Sequence, residues 1–462
     1  MLEQYFCIAM VFTNTSVDLI SPNDPIKYVD TNAPDHQGLT LQDIIKNHAP
    51  QFLQNADLYL SRRLFNGHLQ TIYTSYMQSS TKVMATNTHA AYYRRLVLNY
   101  TDGGEGTLDI SVSSDEFASA SKFNHTKQDL PDNVINQTKP LPENISFLTR
   151  EEVKNFTNSK NAHDSSPLVL ILHGLTGGSN EAYVTSLIQG FQKNGINPCV
   201  LNSRGCAFSS ITTPLLYNGF WTDDVRFAVN YLKSIQPERK IYLVGISLGA
   251  SVLTNYLGQE GENSKVELGI GISVPWDMIL SWQHLDSSMI GRVYSKYMKN
   301  NCVELLNNNM DVLETTTNPH LKLNAETFEK TAYLRDFDNN FTAKMFGFNS
   351  AGEYYRHASC VNRLFAIRTP YVGLNSTDDP ILGPYIPVED AKLNPFVNLV
   401  TTQRGGHVGW ISSNKERWFV APIVGLIIGF HKEVATKNDV HMVVPQPSLP
   451  IKTKSAFYRL IM

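Results

Sequence analysis

The sequence predicts an α/β fold built on a mostly parallel, doubly wound sheet, and three stretches carry that prediction. The apolar runs PLVLILHG (167–174) and KIYLVGIS (240–247) lack polar alternation, which is typical of strands buried on both faces. Between them, TDDVRFAVNYLKSIQP (222–237) has apolar residues near a 3.6-residue period, as expected of a helix. Because strands alternate with helices, we expect parallel strands with helices on both faces of the sheet.

The same alternation continues on both sides of these stretches. Further buried strands are predicted at 197–205, 266–275, 369–374 and 395–400, with helices at 181–195 and 248–258. Upstream, two strand-like runs flank Asp102-Gly103-Gly104, and this turn signal predicts a hairpin over residues 92–112.

The pattern also divides the chain into units. Residues 113–165 are rich in Ser, Asn, Asp, Lys and Pro, which predicts a partly flexible surface excursion. Residues 276–363 are helix-rich and aromatic, and they predict either a lid over the site or plain helical packing. The predicted units are an N-terminal extension (1–60), the first part of the core (61–275), a helical lid insertion (276–363), the second part of the core (364–435) and a C-terminal tail (436–462).

Composition excludes several classes of protein. The chain has 39 basic and 42 acidic side chains and a net charge of -3, which argues against nucleic acid as a partner. The five cysteines are widely spaced without a C-x-x-C, so neither a disulfide framework nor a zinc ribbon is expected. The sequence has no run of 18 apolar residues, so no membrane span is predicted. We therefore expect an intracellular, cytoplasmic protein, with peripheral contact to lipid droplets, mitochondria or endoplasmic reticulum left open.

The sharpest chemical signal is Gly245-Ile246-Ser247-Leu248-Gly249, a G-x-S-x-G motif. It follows a predicted strand and precedes a predicted helix, which is the context of a nucleophile elbow. Ser247 would then be exposed on a tight turn whose flanking glycines avoid side-chain collisions. The alternative is a tight turn without chemistry.

A serine nucleophile needs a base and an acid, which follow it in this order on later loops. The base is predicted as His407, since Gly405-Gly406 would let its loop reach the serine. Asp379 is the chosen acid and Asp378 its alternate, because both follow the strand at 369–374. The aspartate that is not the acid could fix the loop by accepting backbone N–H bonds.

The backbone N–H groups of Leu175 and Leu248 are the candidate oxyanion donors. His173 is predicted to brace the oxyanion loop, and Arg204 to bond carbonyls near the site. The sequence carries no metal motif and no cofactor signature, so neither a metal nor a cofactor is expected.

Several segments together resemble the family 4 branch of the α/β-hydrolase superfamily. They include HGLTGGSNEAYV, LVGISLGASVLTNYLG, LNSTDDPI, GGHVGW, LRDFDNNFTAKMFGF and Asn66-Gly67-His68-Leu69-Gln70-Thr71. Within that branch the chain is most similar to yeast medium-chain fatty acid ethyl ester synthase/esterases, and some relatives resemble monoacylglycerol lipases. The resemblance implies an α/β-hydrolase fold and a triad of Ser247, Asp379 and His407.

The resemblance also implies a substrate. It suggests a serine esterase and acyl-CoA:ethanol acyltransferase that forms and hydrolyses medium-chain fatty acid ethyl esters through an acyl-serine. The acyl donor would be a medium-chain acyl-CoA or a fatty acyl ester, and the acceptor ethanol or water. The alternatives are a monoacylglycerol lipase and a catalytically silent binding protein with this fold. Five aromatic residues of the insertion either line an acyl tunnel or pack as plain core: Trp276, Trp282, Tyr294, Phe341 and Phe346.

Overall fold

The computed structural model describes residues 14–32, 38–83, 91–121, 127–157 and 165–445. Its strands are β1 (Asn14–Ile20), β2 (Lys27–Asp30), β3 (Asp57–Tyr59), β4 (Tyr92–Asn99), β5 (Glu105–Val112), β6 (Ile145–Phe147), β7 (Leu168–Leu172), β8 (Cys199–Asn202), β9 (Ile241–Ile246), β10 (Val266–Ile272), β11 (Tyr371–Ser376), β12 (Val397–Thr402) and β13 (Val440–Val443). Its α-helices are α1 (Leu41–His48), α2 (Gly67–Val83), α3 (Ser114–Ser121), α4 (Arg150–Thr157), α5 (Ala182–Gln192), α6 (Asp223–Ile235), α7 (Leu248–Glu260), α8 (Met278–Asp286), α9 (Met289–Asn307), α10 (Met310–Leu313), α11 (Ala325–Glu329), α12 (Leu334–Phe337), α13 (Ala343–Met345), α14 (Ala351–Ala358), α15 (Val388–Leu393) and α16 (Val420–Phe430).

Eleven strands of the described ranges form one sheet, in the order β3-β1-β12-β11-β10-β9-β7-β8-β5-β4-β6. The six strands from β12 to β8 run parallel to one another. Antiparallel pairs extend the sheet on both sides, β1 with β12 and β3, and β5 with β8 and β4. The sheet confirms the predicted α/β class, and the β4–β5 pair confirms the predicted hairpin.

The central strands are apolar because both of their faces are covered. Every residue of β7, β9 and β11 is buried. Helices α5 and α16 pack together, and α7 packs against β9 and β10. Burial on both faces explains why these strands read as continuous apolar runs rather than as alternating ones.

The two ends predicted as an extension and a tail belong to sheets of the fold. Residues of the extension form β1, which pairs with β12 in a register that sets Ile20 opposite Leu399. The tail supplies β13, which pairs with β2 in a separate two-stranded sheet. In the predicted excursion, β6 pairs with β4 at the edge of the main sheet. β2, β6 and β13 have only three or four residues, and β1, which lies between β3 and β12, is half-buried along much of its length, so the sequence shows no clear apolar pattern there.

The insertion at 276–363 is helical in the structure and contains α8 to α14. No helix in the described ranges is both long enough and apolar enough to cross a bilayer. Four cysteines, Cys199, Cys206, Cys302 and Cys360, are free and buried. The fifth, Cys7, and residues 446–462 of the predicted tail lie outside the described residues.

Candidate active site

Ser247 lies on the turn between the end of β9 and the start of α7. Its φ of 53° is in the left-handed region, which a residue with a side chain rarely adopts. Both flanking glycines are required, because a Cβ on Gly245 would lie 2.6 Å from the Gly249 oxygen and one on Gly249 would lie 2.3 Å from the Leu172 oxygen. The strained turn holds the Ser247 hydroxyl at the N-terminus of α7, where developing negative charge is favoured.

The structure brings the three predicted triad residues together. The Ser247 Oγ lies 2.8 Å from His407 Nε2, and His407 Nδ1 lies 2.8 Å from Asp379 Oδ2. The carboxylate side chain is fully buried, whereas the imidazole is slightly exposed. A carboxylate on Nδ1 holds the proton there and leaves Nε2 free to accept the serine proton. This arrangement can activate Ser247 for attack on a carbonyl carbon.

The neighbouring aspartates have separate partners. The second Asp379 oxygen, Oδ1, accepts the backbone N–H groups of Ile381 and Leu382 at 2.8 and 2.9 Å, which fixes the carboxylate plane. Asp378 Oδ1 accepts the N–H groups of Gly405 and Gly406 at 3.0 and 2.9 Å. Asp378 therefore holds the histidine loop, as predicted for whichever aspartate does not contact the histidine.

The start of α2 also holds the histidine loop, and sequence reasoning missed this role. Thr71 Oγ1 accepts the His407 N–H at 2.8 Å and donates to the Gly67 oxygen at 2.7 Å. Gln70 Oε1 accepts the Ile411 N–H at 2.8 Å. The segment Asn66–Thr71 was recognised as a family signature, but nothing in its sequence indicates which distant loop it contacts.

The loop after β7 carries the first candidate oxyanion donor, Leu175. The N–H groups on either side of it are occupied, since Gly174 donates to the Tyr183 hydroxyl at 3.0 Å and Thr176 donates to the Tyr217 hydroxyl at 2.7 Å. Within the described part of the chain, the amides of Leu175 and Leu248 have no protein acceptor. Two free donors beside Ser247 are what an oxyanion hole requires.

His173 braces this loop, as predicted. Its Nε2 accepts the Ser203 N–H at 3.0 Å, so its Nδ1 carries the proton that is donated to the Gly174 oxygen at 2.7 Å. Burial lowers the pKa of His173 to about 4, which keeps the ring neutral. Its nitrogens are therefore committed to the backbone and it cannot serve as the base.

Arg204 is structural, but its predicted partners are wrong. It bonds the carboxylates of Asp102 and Asp224, with closest distances of 2.7 Å to each, rather than backbone carbonyls. It also lies over the rings of Tyr100 and Trp221. The two carboxylates offset the cost of burying the Arg204 charge, and the sequence position of Arg204 after β8 does not identify them.

An apolar cavity of about 140 Å³ opens beside Ser247. Leu175 and Leu248 line it on the core side, and Ile381 and Leu382 follow the triad acid along another wall. Residues of the helical insertion form most of the remaining wall, among them Met278, Leu285, Met298, Leu305, Leu306 and Phe337. The cavity suits a chain of methylene groups that ends at the Ser247 hydroxyl.

The five aromatic residues predicted for this cavity divide into two groups. Trp282, Phe341 and Phe346 line it. Trp276 is instead buried in the core and donates to Asn375, and Tyr294 stacks on His68 with ring centroids 5.8 Å apart. Lining is therefore realised by three of the five residues and core packing by Trp276, whereas Tyr294 is half-buried and fits neither alternative.

One carboxyl group in the cavity wall was not predicted. Asp338 lies in a wide helical turn, Asp338–Thr342, between α12 and α13. Its oxygens accept hydrogen bonds from Thr342 and Tyr355, each at 2.7 Å. Burial raises the pKa of Asp338 to about 6, because a charge in apolar surroundings is poorly solvated. Within the described ranges, no cluster of three His, Cys, Asp or Glu side chains could hold a metal ion.

A strained serine after a parallel strand, with a histidine and an aspartate from later strands, defines a class of protein. Residues 167–412 match the alpha/beta hydrolase fold family, and the chain belongs to that family. It is accordingly a hydrolase of the esterase and lipase class.

Individual relatives narrow the comparison. The chain is 37% identical to a monoacylglycerol lipase of Saccharomyces cerevisiae, over 94% of this chain and 95% of the lipase. It is 31% identical to medium-chain fatty acid ethyl ester synthase/esterase 2 of the same yeast, over 85% of this chain and 90% of that enzyme. It is also 32% identical to the bovine phospholipase ABHD3, over 55% of this chain and 61% of the phospholipase.

Proposed function

We propose that this protein hydrolyses esters of a single fatty acyl chain through an acyl-serine intermediate. The observation that carries the proposal is the hydrogen-bonded series Ser247–His407–Asp379 at the mouth of an apolar cavity. His407 takes the Ser247 proton as Oγ attacks the ester carbonyl, and Asp379 stabilises the imidazolium that forms. The N–H groups of Leu175 and Leu248 then stabilise the oxyanion.

The second half of the reaction follows from the same groups. His407 returns the proton to the leaving alcohol, which departs and leaves the acyl group on Ser247. His407 then activates a water molecule, which attacks the acyl carbonyl, releases the fatty acid and restores the serine.

Monoacylglycerols are the substrates that we favour. The cavity wall beside Ser247 is largely apolar, which suits one acyl chain, and Asn218 and Thr176 add polar groups among the lining residues. The relative named as a monoacylglycerol lipase is similar along nearly the whole chain, which supports the same choice.

Ethyl esters are the second candidate substrate class, supported by the similarity to the yeast ethyl ester synthase/esterase. With ethanol in place of water, the acyl-serine would give an ethyl ester, and a medium-chain acyl-CoA could supply the acyl group. The triad serves both reactions, so the acceptor pocket and its water content would decide the product.

The test uses the purified protein with monooctanoylglycerol, with ethyl octanoate, and with octanoyl-CoA plus ethanol. We expect octanoate from monooctanoylglycerol in preference to ethyl octanoate, and a loss of roughly 10⁴- to 10⁶-fold in kcat for Ser247→Ala. Ser251→Ala is the matched control, because Ser251 is a buried serine one turn along α7 that bonds backbone oxygens outside the triad.

Each outcome separates the candidates. Ethyl octanoate formed from octanoyl-CoA and ethanol, with little release from the monoacylglycerol, would favour the synthase. Turnover that Ser247→Ala leaves unchanged would contradict the proposed nucleophile. No turnover of any substrate by the folded protein would favour a catalytically silent binding protein.

A further inference from the structure

Helix α9 separates the cavity from the outside of the molecule. Its inner side lines the cavity through Ser295, Met298, Cys302, Leu305 and Leu306. Its outer side exposes Met289 (87%), Ile290 (55%), Val293 (68%) and Tyr297 (46%). At 3.6 residues per turn these four side chains fall within an arc of about 100° on the side opposite the cavity. Large apolar groups exposed in one arc indicate a surface that binds something.

The exposed arc of α9 continues onto the core. Phe65 and the α2 residues Ile72 and Tyr76 are exposed by 48%, 54% and 67%. The two helices meet where the His68 ring stacks on Tyr294 and its Nδ1 lies 3.1 Å from the Tyr294 hydroxyl. We call the seven exposed residues the docking face: Phe65, Ile72, Tyr76, Met289, Ile290, Val293 and Tyr297.

Basic side chains accompany the docking face. Arg62 and Arg63 are exposed next to Phe65, and Lys296 is exposed on α9 about 20° outside the apolar arc. Arg292 is also exposed there and pairs with Asp286 at 3.2 Å. The exposed carboxylate of Glu304 lies on the same side of α9, about two turns beyond Tyr297, so three cations, Arg62, Arg63 and Lys296, stand against one acidic group here in a chain with a net charge of -3. Apolar side chains bordered by Arg and Lys are complementary to a surface with an apolar interior and anionic headgroups.

The geometry of α9 relates this surface to the active site. The same helix contacts the outside with one side and the cavity with the other, and its inner residues reach the cavity that opens at Ser247. A lipid surface on the docking face would therefore lie one helix diameter from the cavity, about 10 Å.

We propose that the docking face binds an anionic phospholipid surface and that the protein takes its acyl esters from that surface. The delivery step rests on the proposed function, whereas binding to the surface does not. The apolar side chains enter the headgroup region, and Arg62, Arg63 and Lys296 contact the lipid phosphates.

Vesicle flotation tests the binding without any turnover. The full chain carrying Ser247→Ala is mixed with vesicles of phosphatidylcholine alone or of phosphatidylcholine with phosphatidylserine. We expect stronger binding to the second kind and a decrease of that binding with salt. The double variant Ile290→Ser/Val293→Ser should bind these vesicles at least about tenfold more weakly, because two exposed apolar groups no longer enter the lipid.

A matched control removes equally exposed apolar side chains elsewhere. Ile135 and Leu393 are 78% and 62% exposed and lie outside the docking face. Ile135→Ser/Leu393→Ser should therefore bind vesicles like the parent protein. Equal binding by both double variants would overturn the proposal. The proposal would also be overturned if deletion of residues 2–12 abolished binding while Ile290→Ser/Val293→Ser left binding unchanged.

Activity separates the binding surface from the proposed function. With Ser247 present, Ile290→Ser/Val293→Ser should hydrolyse a water-soluble p-nitrophenyl ester at the parental rate but lose turnover of monoacylglycerol in anionic vesicles. Loss of both activities would indicate damage to the fold instead and would contradict a docking role for these side chains. If the parent turns over neither substrate while its vesicle binding is intact, the proposed function fails and the docking face stands.

Discussion

Asp378 and Asp379 are adjacent in sequence but hold different parts of the site. Asp379 contacts His407 and the amides of its own turn, whereas Asp378 accepts two amides of the histidine loop. Adjacent side chains on one turn point in different directions, so the sequence alone narrowed the acid to two positions.

Substitution of each aspartate by asparagine distinguishes their roles. Asp379→Asn should lower kcat by about 10⁴-fold, because the imidazole loses the partner that fixes its tautomer and stabilises its charge. Asp378→Asn should instead lower the free energy of unfolding by about 1–3 kcal/mol, with a much smaller loss of kcat. Ester hydrolysis and urea unfolding of both variants provide the measurements. Equal losses of kcat would contradict the assignment.

The Tyr183 hydroxyl lies behind the oxyanion loop and accepts the Gly174 N–H. Tyr183 is buried and does not line the cavity, and burial raises its pKa far above the usual value, so the hydroxyl stays protonated. We expect Tyr183→Phe to lower kcat about tenfold with KM little changed, since the Gly174 amide loses its acceptor and the loop shifts. Tyr242→Phe is the control, because it removes a buried hydroxyl that contacts His431 instead. Equal effects of the two changes on kcat would contradict a positioning role.

At the scale of elements, the wide turn that begins at Asp338 places a carboxyl in the cavity wall. Its pKa of about 6 in the folded protein exceeds the usual value of 3.8, so the folded state binds more protons between about pH 4 and pH 6. The contribution of this group to stability is therefore largest at low pH and is lost as pH rises through 6. The loss amounts to about 3 kcal/mol, from a shift of about two pKa units.

Asp338→Asn should remove this pH dependence. Relative to the parent, the variant should gain about 2–3 kcal/mol of unfolding free energy between pH 4 and pH 7, whatever the difference between the two proteins at pH 4. Urea unfolding at a series of pH values measures the difference. Asp115→Asn, on the exposed first turn of α3, is the control and should show no such gain. A difference between Asp338→Asn and parent that stays constant with pH would contradict the burial argument.

The elements that the sequence predicts best are those with a local cause. The continuous apolar composition of β7 and β9 follows from burial, and Gly245 follows from a collision within the turn at Ser247. Gly249 instead depends on the close approach of the Leu172 carbonyl at the end of β7. The support of His407 by Thr71 joins residues 336 positions apart. Such a contact depends on the completed fold, so the motif at Asn66–Thr71 could be recognised without its role.

At the scale of the whole molecule, the N-terminal residues belong to the core. Among their apolar side chains, Val17, Ile44, Ile45, Phe52 and Leu58 are fully buried. Burial of five such side chains contributes about 8–15 kcal/mol, which is comparable to the stability of a typical protein. The sequence indicated only an N-terminal extension here, because the short strands and mixed burial of this segment give no strong apolar pattern.

Deletion of residues 1–60 should therefore prevent folding, since it exposes the edge of β12 and the apolar surface under α1. Deletion of residues 1–13 alone leaves all described elements in place and is the control. Thermal unfolding and ester hydrolysis compare the two. A protein without residues 1–60 that unfolds at the parental Tm with parental activity would contradict this view.

In the proposed mechanism Ser247 carries the acyl group. The most direct measurement is mass spectrometry after reaction with an alkyl fluorophosphonate, a reagent that modifies activated serines. We expect one modification in the parent protein, on the peptide that contains Ser247, and none in Ser247→Ala. Modification of a different serine, or labelling that persists in Ser247→Ala, would contradict it.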